Sequence, residues 1–257
     1  MCAGCTEGRR RPTARARCSS TTSSATRATS CSTNSLQVVA IIPARGGSER
    51  VPRKNLLEVG GKPLVVHSIE HALAARLVNE VVVSTEDGEI ADVAGAAGAR
   101  VVMRPAELAG PEAASESALL HVLDELPGPD PDLVVFLQAT SPVRRPSDVD
   151  AAIERLLGEG ADSLLSVHPE KVHTWVRDED GLRSVSYDWR HRQREQDMAP
   201  QLRENGSIYV FRPAVLRTEG NRLGGTITVY EMDWWSSFQL DEPEHAELLD
   251  WILTTRG

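Results

Sequence analysis

The sequence predicts an α/β fold for residues 36–257: a three-layer sandwich with a mostly parallel sheet between helices, plus a small β arm. Two observations carry this. Short, continuously apolar runs recur along the chain, as expected of parallel strands covered on both faces. Segments with apolar residues at helical spacing separate them, and strand–helix–strand alternation implies right-handed crossovers.

Taken in order, Leu36–Pro43 (LQVVAIIP) is the first buried strand. A helix follows over Pro63–Leu77, with Val65, Val66, Ile69, Ala72 and Leu73 on one stripe and proline in the first turn. Glu80–Ser84 is a strand, Asp87–Ala97 a helix and Arg100–Met103 a strand. Glu112–Leu126 is a helix carrying Leu119, Leu120, Val122, Leu123 and Leu126. Asp132–Gln138 is a strand, Ser147–Leu157 a helix with a Ser/Asp cap, and Asp162–Val167 a strand. Then the pattern changes. Trp175–Arg177 and Leu182–Ser186 flank the turn signal Asp178-Glu-Asp-Gly181, which predicts a hairpin. A polar stretch runs to Arg203, so 168–203 forms an excursion from one domain. Asn205–Arg212 and Thr226–Glu231 are further strands, and Glu242–Leu253 closes as a helix.

Residues 1–35 differ from the rest. They hold seven Ser, seven Thr and six Arg, a single acid (Glu7), and no Leu, Ile, Val or Phe. Such a segment buries too little apolar surface to offset its ordering entropy, so disorder is expected. Its composition is read as a dispensable extension or an upstream start, with an organelle transit peptide as the alternative. Setting it aside leaves 22 basic against 36 acidic residues, a body near −14. That charge argues against nucleic acid as a partner. No apolar run reaches the ~18 residues a membrane-spanning helix needs. All four cysteines (Cys2, Cys5, Cys18, Cys31) lie in the first 35 residues. The body therefore has no disulfide framework, cysteine-ligated metal or catalytic thiol, which fits a reducing, cytoplasmic setting.

Chemistry concentrates in the loop after the first strand, Ala44-Arg-Gly-Gly-Ser-Glu-Arg-Val-Pro-Arg-Lys-Asn55. Ligands of open α/β sheets bind at the carboxyl ends of strands, where this loop begins. Gly46 and Gly47 allow close backbone approach, Ser48 adds a hydroxyl, and Arg45, Arg50, Arg53 and Lys54 place four cations within ten residues. This combination suits a polyphosphate. It is neither a G-x-G-x-x-G nor a Walker loop.

With this loop, the segment Val38–Pro63 (VVAIIPARGGSERVPRKNLLEVGGKP) resembles the acylneuraminate cytidylyltransferase family. The resemblance continues in order through Val83-Ser-Thr-Glu86, Arg104-Pro-Ala-Glu-Leu108, Leu137-Gln-Ala-Thr-Ser-Pro142, Arg203-Glu-Asn-Gly-Ser-Ile-Tyr209 and Phe238-Gln-Leu-Asp241. It implies a Rossmann-like sheet of the nucleotide-diphospho-sugar transferase type. It also implies Mg2+-dependent transfer of CMP from CTP to a 2-keto-3-deoxy sugar acid, with release of pyrophosphate. By resemblance, Arg45 and Lys54 bind the triphosphate, along with Ala44, Gly46, Gly47 and Ser48. Arg104, Ala106, Leu108 and Ser117 frame the cytosine. Gln138, Arg203 and Asn205 meet the sugar acid, and Asp241 holds the metal. The 168–203 arm would join two copies into a homodimer and complete the partner's acceptor site. Alternatives within the fold are an octulosonate or phosphonate acceptor, or GTP as donor; a nucleotide-sugar binder with weakened catalysis is a third.

Two positions depart from the family. Glu49 stands where many relatives carry lysine, so it must pair with Arg50 or Arg53 or point away. The usual Asp-x-Asp pair reads Gln239-Leu240-Asp241. Either Asp241 suffices with the Gln239 carbonyl oxygen beside it, or an acid such as Asp233 compensates, or turnover is weak.

Overall fold

The computed structural model describes residues 35–110 and 113–256, and its folded unit is Leu36–Gly257. The expectations for residues 1–34, including the cysteines, fall outside the described residues. Eleven strands and six α-helices are described: β1 Val38–Pro43, β2 Glu58–Val59, β3 Lys62–Pro63, α1 Leu64–Ala74, β4 Glu80–Thr85, α2 Gly88–Ala96, β5 Arg100–Met103, α3 Ser115–Glu125, β6 Leu133–Leu137, α4 Asp148–Glu159, β7 Ser163–Glu170, β8 Trp175–Asp178, β9 Gly181–Ser184, β10 Gln201–Phe211, α5 Pro213–Glu219, β11 Ile227–Glu231 and α6 His245–Arg256.

Seven strands form the main sheet in the order β11-β7-β10-β6-β1-β4-β5. β1 pairs in parallel with β4 and β6, β4 with β5, and β7 with β11; β10 alone runs antiparallel, between β6 and β7. The mostly parallel expectation therefore holds, with one reversed strand. β1 shows why both faces are covered. Val38, Ala40 and Ile42 point into a core shared with Val65 and Ile69 of α1, Ile90 of α2 and Ile153 of α4. Val39 and Ile41 point the other way, to Leu119 and Val122 of α3 and Leu216 of α5. Period-2 alternation within an unbroken apolar run thus serves two cores, each fully buried Leu, Ile or Val contributing ~1.5–3 kcal/mol.

Local signals end the elements. Asp87 caps α2, its Oδ1 accepting from the amides of Glu89 and Ile90, both at 3.0 Å. Gly160 closes α4 in the left-handed region at φ 62°. The expected Ser147 cap is absent: that side chain makes no capping bond, and Asp148 accepts the amide of Arg145 at 2.7 Å instead. The short β2–β3 hairpin and α5 were not anticipated, being too brief to show a period. The β8–β9 hairpin forms at the expected turn, and β7 and β10 extend to carry it, pairing as far as Glu170 and Gln201.

Candidate active site

The carboxyl ends of β1, β4 and β6 lie side by side, so their three loops meet above one edge of the sheet. A cavity of about 510 Å3 opens there, lined by Arg45, Ser48, Glu49, Arg50 and Lys54 from the first loop. Arg104, Ala113–Ser115, Phe136, Gln138, Ala139, Thr140, Gln239 and Asp241 complete it. Segments nearly two hundred residues apart in sequence therefore share one site.

The first loop is tied down at several points. Asn55 donates from Nδ2 to the Arg45 carbonyl at 2.8 Å, and Arg45 donates from Nη1 to the Gly110 carbonyl at 3.1 Å. Gly46 donates its amide to Glu86 Oε1 at 2.7 Å. Gly46 must be glycine, because a Cβ there would lie 2.4 Å from Asp87 Oδ2. Arg53 adopts the left-handed region at φ 55° and donates to Asp87 and Glu89. Its guanidinium, with the α2 amides, holds the Asp87 carboxyl below the usual carboxylate range.

Across the cavity, Lys54 Nζ lies 3.4 Å from Asp241 Oδ1, and exposed Arg50 pairs with Glu242 at 2.9 Å. Leu240 donates its amide to the Thr140 carbonyl at 2.8 Å, which fastens the Gln239–Asp241 segment to the loop after β6. Gln239 donates from Nε2 to the Asn205 carbonyl at 2.8 Å. Gly206, at φ 62°, lets the β10 bulge pass between two site side chains: a Cβ there would meet Gln138 Oε1 at 2.7 Å and Gln239 Nε2 at 2.9 Å. Behind this, buried Arg144 donates to the carbonyls of Gln138 (2.9 Å) and Ser207 (2.8 Å) and to Ser68 Oγ (2.9 Å). Burial lowers its pKa to about 9.

Several expectations gather at this cavity and others do not. Arg45, Ser48, Lys54, Arg104, Gln138, Gln239 and Asp241 converge. Arg203, exposed and paired with Glu170 at 3.2 Å, lines an adjoining recess of about 370 Å3 that shares Gln239 and Asp241. Ala44, Gly46 and Gly47 shape the loop without lining the cavity. Ala106, Leu108 and Ser117 do not line it either; Ser117 Oγ donates to the Ala114 carbonyl at 2.7 Å, and Ala114 is the residue at the wall. Asn205 is corrected: the residue is 1% exposed, and its side chain accepts from Ser166 Oγ at 2.6 Å and donates to Ser236 Oγ at 2.9 Å, so it builds the bulge and does not face a ligand. For Glu49 the second alternative, an exposed loop residue, holds over pairing. Arg50 and Arg53 both pair elsewhere, leaving Glu49 exposed on the cavity rim. Asp233 cannot replace a missing metal carboxylate, since it pairs with Arg145 at 2.6 Å and lines a different cavity.

Three residues escaped the sequence reading although their segments were singled out: Glu86, Gly206 and Asn55. Only Gly206 carried a usable signal, a glycine inside a strand pattern.

Among the described residues no group of three or more His, Cys, Asp or Glu side chains could hold a metal. Two carboxylates line the cavity, exposed Glu49 and, beside Lys54, Asp241, which has the Gln239 carboxamide two residues before it. That set fits a hard cation that keeps several waters and takes further oxygens from substrate phosphates.

Known proteins resemble this chain in sequence and in fold. The sequence profile of a family described as cytidylyltransferase matches residues 39–250, from β1 into α6. An N-acylneuraminate cytidylyltransferase A of Danio rerio is 34% identical over 211 residues, covering 80% of this chain and 48% of the relative. A pseudaminic acid cytidylyltransferase of Campylobacter jejuni (strain 81-176) is 31% identical over 177 residues, covering 66% of this chain and 75% of the relative. The chain spans about half the length of the fish relatives it matches. A structure of CMP:2-keto-3-deoxy-manno-octonic acid synthetase complexed with CTP has a similar fold, with a TM-score of 0.67 at 24% identity over 86% of this chain and all of that one. No helix of the described residues is long and apolar enough to cross a membrane. Since the matched profile spans nearly the whole folded unit and every loop that lines the cavity, the chain belongs to the cytidylyltransferase family.

Proposed function

We propose that this protein transfers the cytidylyl group of CTP to the anomeric hydroxyl of a 2-keto-3-deoxy sugar acid of the N-acylneuraminate type, releasing pyrophosphate. One observation carries the reading: Arg45, Lys54, Arg104, Gln138 and Asp241, from four separate sequence segments, line one cavity at the carboxyl ends of the strands. The names of the relatives, cytidylyltransferases and a CMP-sugar synthase acting on nonulosonic acids, support the donor and the acceptor class.

The sugar hydroxyl attacks the α-phosphorus, the bond to the bridging oxygen breaks, and pyrophosphate leaves. Such a transfer needs positioning and charge stabilisation more than covalent help. Arg45 and Lys54 hold the triphosphate and offset the charge that grows on the leaving pyrophosphate. Arg104 meets the base, Gln138 orients the sugar acid, and Arg203 in the adjoining recess attracts its carboxylate. Asp241, with Gln239 beside it, would hold Mg2+, which would supply charge neutralisation for the phosphates. The β8–β9 arm exposes Trp175, Val176, Leu182 and Val185, apolar surface that suits a second copy of the chain in a homodimer. A cytoplasmic setting fits the cysteine-free body.

The test is pyrophosphate release with Mg2+, using CTP or GTP against nonulosonic acids, octulosonic acids and phosphonates. Release with CTP and a nonulosonic acid is expected. Preference for an octulosonate, a phosphonate or GTP would change the substrate. CTP binding without release with any acceptor would make the protein a nucleotide binder.

A further inference from the structure

The segment Val83–Glu86 belongs to the family resemblance, yet nothing above gives Glu86 a role in the reaction. Its carboxylate bridges two elements of the cavity. Oε1 accepts the Gly46 amide at 2.7 Å, and Oε2 accepts from both Nε (3.3 Å) and Nη2 (3.0 Å) of Arg104. The Arg104 side chain is 5% exposed and that of Glu86 21%, so this ion pair sits at the base of the cavity, away from the rim. Both oxygens are committed, one to the phosphate loop and one to the guanidinium. Nη1 of Arg104 has no acceptor among the described residues, and Arg104 lines the cavity.

We infer that Glu86 is a positioning residue for nucleotide choice: it locks the glycine loop and Arg104 into one unit, so that Arg104 meets the base with donors only. The inference rests on the cytidylyltransferase reading. A guanidinium donates and never accepts. The ring edge of cytosine presents O2 and N3, both acceptors, whereas uracil presents an N3–H donor in place of the second. A fixed Arg104 therefore favours CTP over UTP, because the wrong base leaves a desolvated donor facing a donor. A mobile Arg104 could turn away and tolerate either base.

Glu86→Gln tests this with an isosteric change. A carboxamide has one acceptor end and one donor end, so in either orientation it faces a donor with a donor, at Gly46 or at Arg104. Calorimetric titration of CTP and UTP onto wild type and variant, with melting temperatures and the KM for the sugar acid, forms the experiment. The expected result is CTP affinity down at least about tenfold, the worth of one hydrogen bond from a charged donor. CTP/UTP discrimination should fall similarly, while the KM for the sugar acid stays within about twofold. Glu86→Ala, which removes both contacts, should show the same loss of discrimination. Unchanged discrimination in variants that still melt cooperatively overturns the inference and leaves the proposed function intact. Wild-type protein that binds neither nucleotide overturns both.

Discussion

Gly206→Ala should damage the site and the fold together, and the structure sets the size of each effect. At φ 62° an L side chain costs ~1–2 kcal/mol. The added Cβ would lie 2.7 Å from Gln138 Oε1 and 2.9 Å from Gln239 Nε2, where ordinary contact needs about 3.4 Å or more, so both side chains must move by roughly half an ångström. If Gln239 swings away, its hydrogen bond to the Asn205 carbonyl is lost, another ~1 kcal/mol. The sum is ~2–3 kcal/mol, or ~5–10 °C in melting temperature for a domain of this size. Kinetically, shifting Gln138 and Gln239 by a fraction of an ångström to an ångström should lower kcat/KM by up to ~100-fold. Gly60→Ala is the control. Gly60 is also left-handed, at φ 59°, and its Cβ would lie 2.8 Å from Leu253 Cβ, but it does not line the cavity. It should lose comparable stability and keep its kinetics. Melting curves and pyrophosphate release measured well below both melting points separate the effects. Equal kinetic losses in the two variants, or a Gly206→Ala enzyme within twofold of wild type, would refute the reasoning.

Other expectations can be checked in the same assays. Asp241→Ala removes the one carboxylate beside Lys54 that fits a cation, and Mg2+-dependent turnover should fall at least ~100-fold; wild-type turnover in that variant sinks the metal assignment. Gln239→Asp should keep or raise turnover by adding a carboxylate, but lower the melting temperature by a few degrees through loss of the bond to the Asn205 carbonyl. Arg144→Met leaves the carbonyls of Gln138 and Ser207 without their donor and should destabilise by ~3–5 kcal/mol, read by denaturant titration. His71 is held neutral by burial and by the nearby Arg144 guanidinium, its pKa lowered from 6.5 to about 3. Its stabilising contribution is present above the unfolded pKa and is lost as pH falls toward the folded one. From pH 7 to pH 5 this one group removes ~2 kcal/mol, and His71→Gln should flatten that slope in chemical denaturation.

The sheet was legible because its strands are buried on both faces. Runs such as Val38–Pro43 are short and rich in β-branched residues, which favours a doubly covered strand over a buried helix, and the intervening helices carry apolar stripes. What escaped depended on partners distant in sequence. Asn205 looked like a ligand for the acceptor because it stands in a motif with Arg203; only the packing of β7 and of the turn at Ser236 shows that its amide is spent on Ser166 and Ser236. Glu86 was visible as part of a motif, but a carboxylate near the end of a strand says nothing about which donors it meets until the first loop and Arg104 fold against it. The Asp233 alternative failed for the same reason in reverse. It lies eight residues before Asp241 in sequence, yet its carboxylate pairs with Arg145 beside another cavity.

The site's cations also divide into those a substrate can recruit and those it must accept as fixed, and burial decides which. Arg50 and Glu242 are both largely exposed, and an exposed pair is worth ~0–1 kcal/mol. Lys54 is 18% exposed, but its partner Asp241 is 45% exposed and 3.4 Å away, a loose contact. On the proposed function, a triphosphate, carrying several charges, would draw Lys54 from Asp241 at little cost, and the same step would free the carboxylate for a cation. Arg104 and Glu86 are a different case. Separating a pair that is mostly out of water costs several kcal/mol, because each charge would be left with neither solvent nor partner. On the proposed function, the base would therefore have to conform to Arg104, while the phosphates could rearrange the groups they meet. On that reading, a fixed base contact would stand beside phosphate contacts free to rearrange as charge moves onto the leaving pyrophosphate.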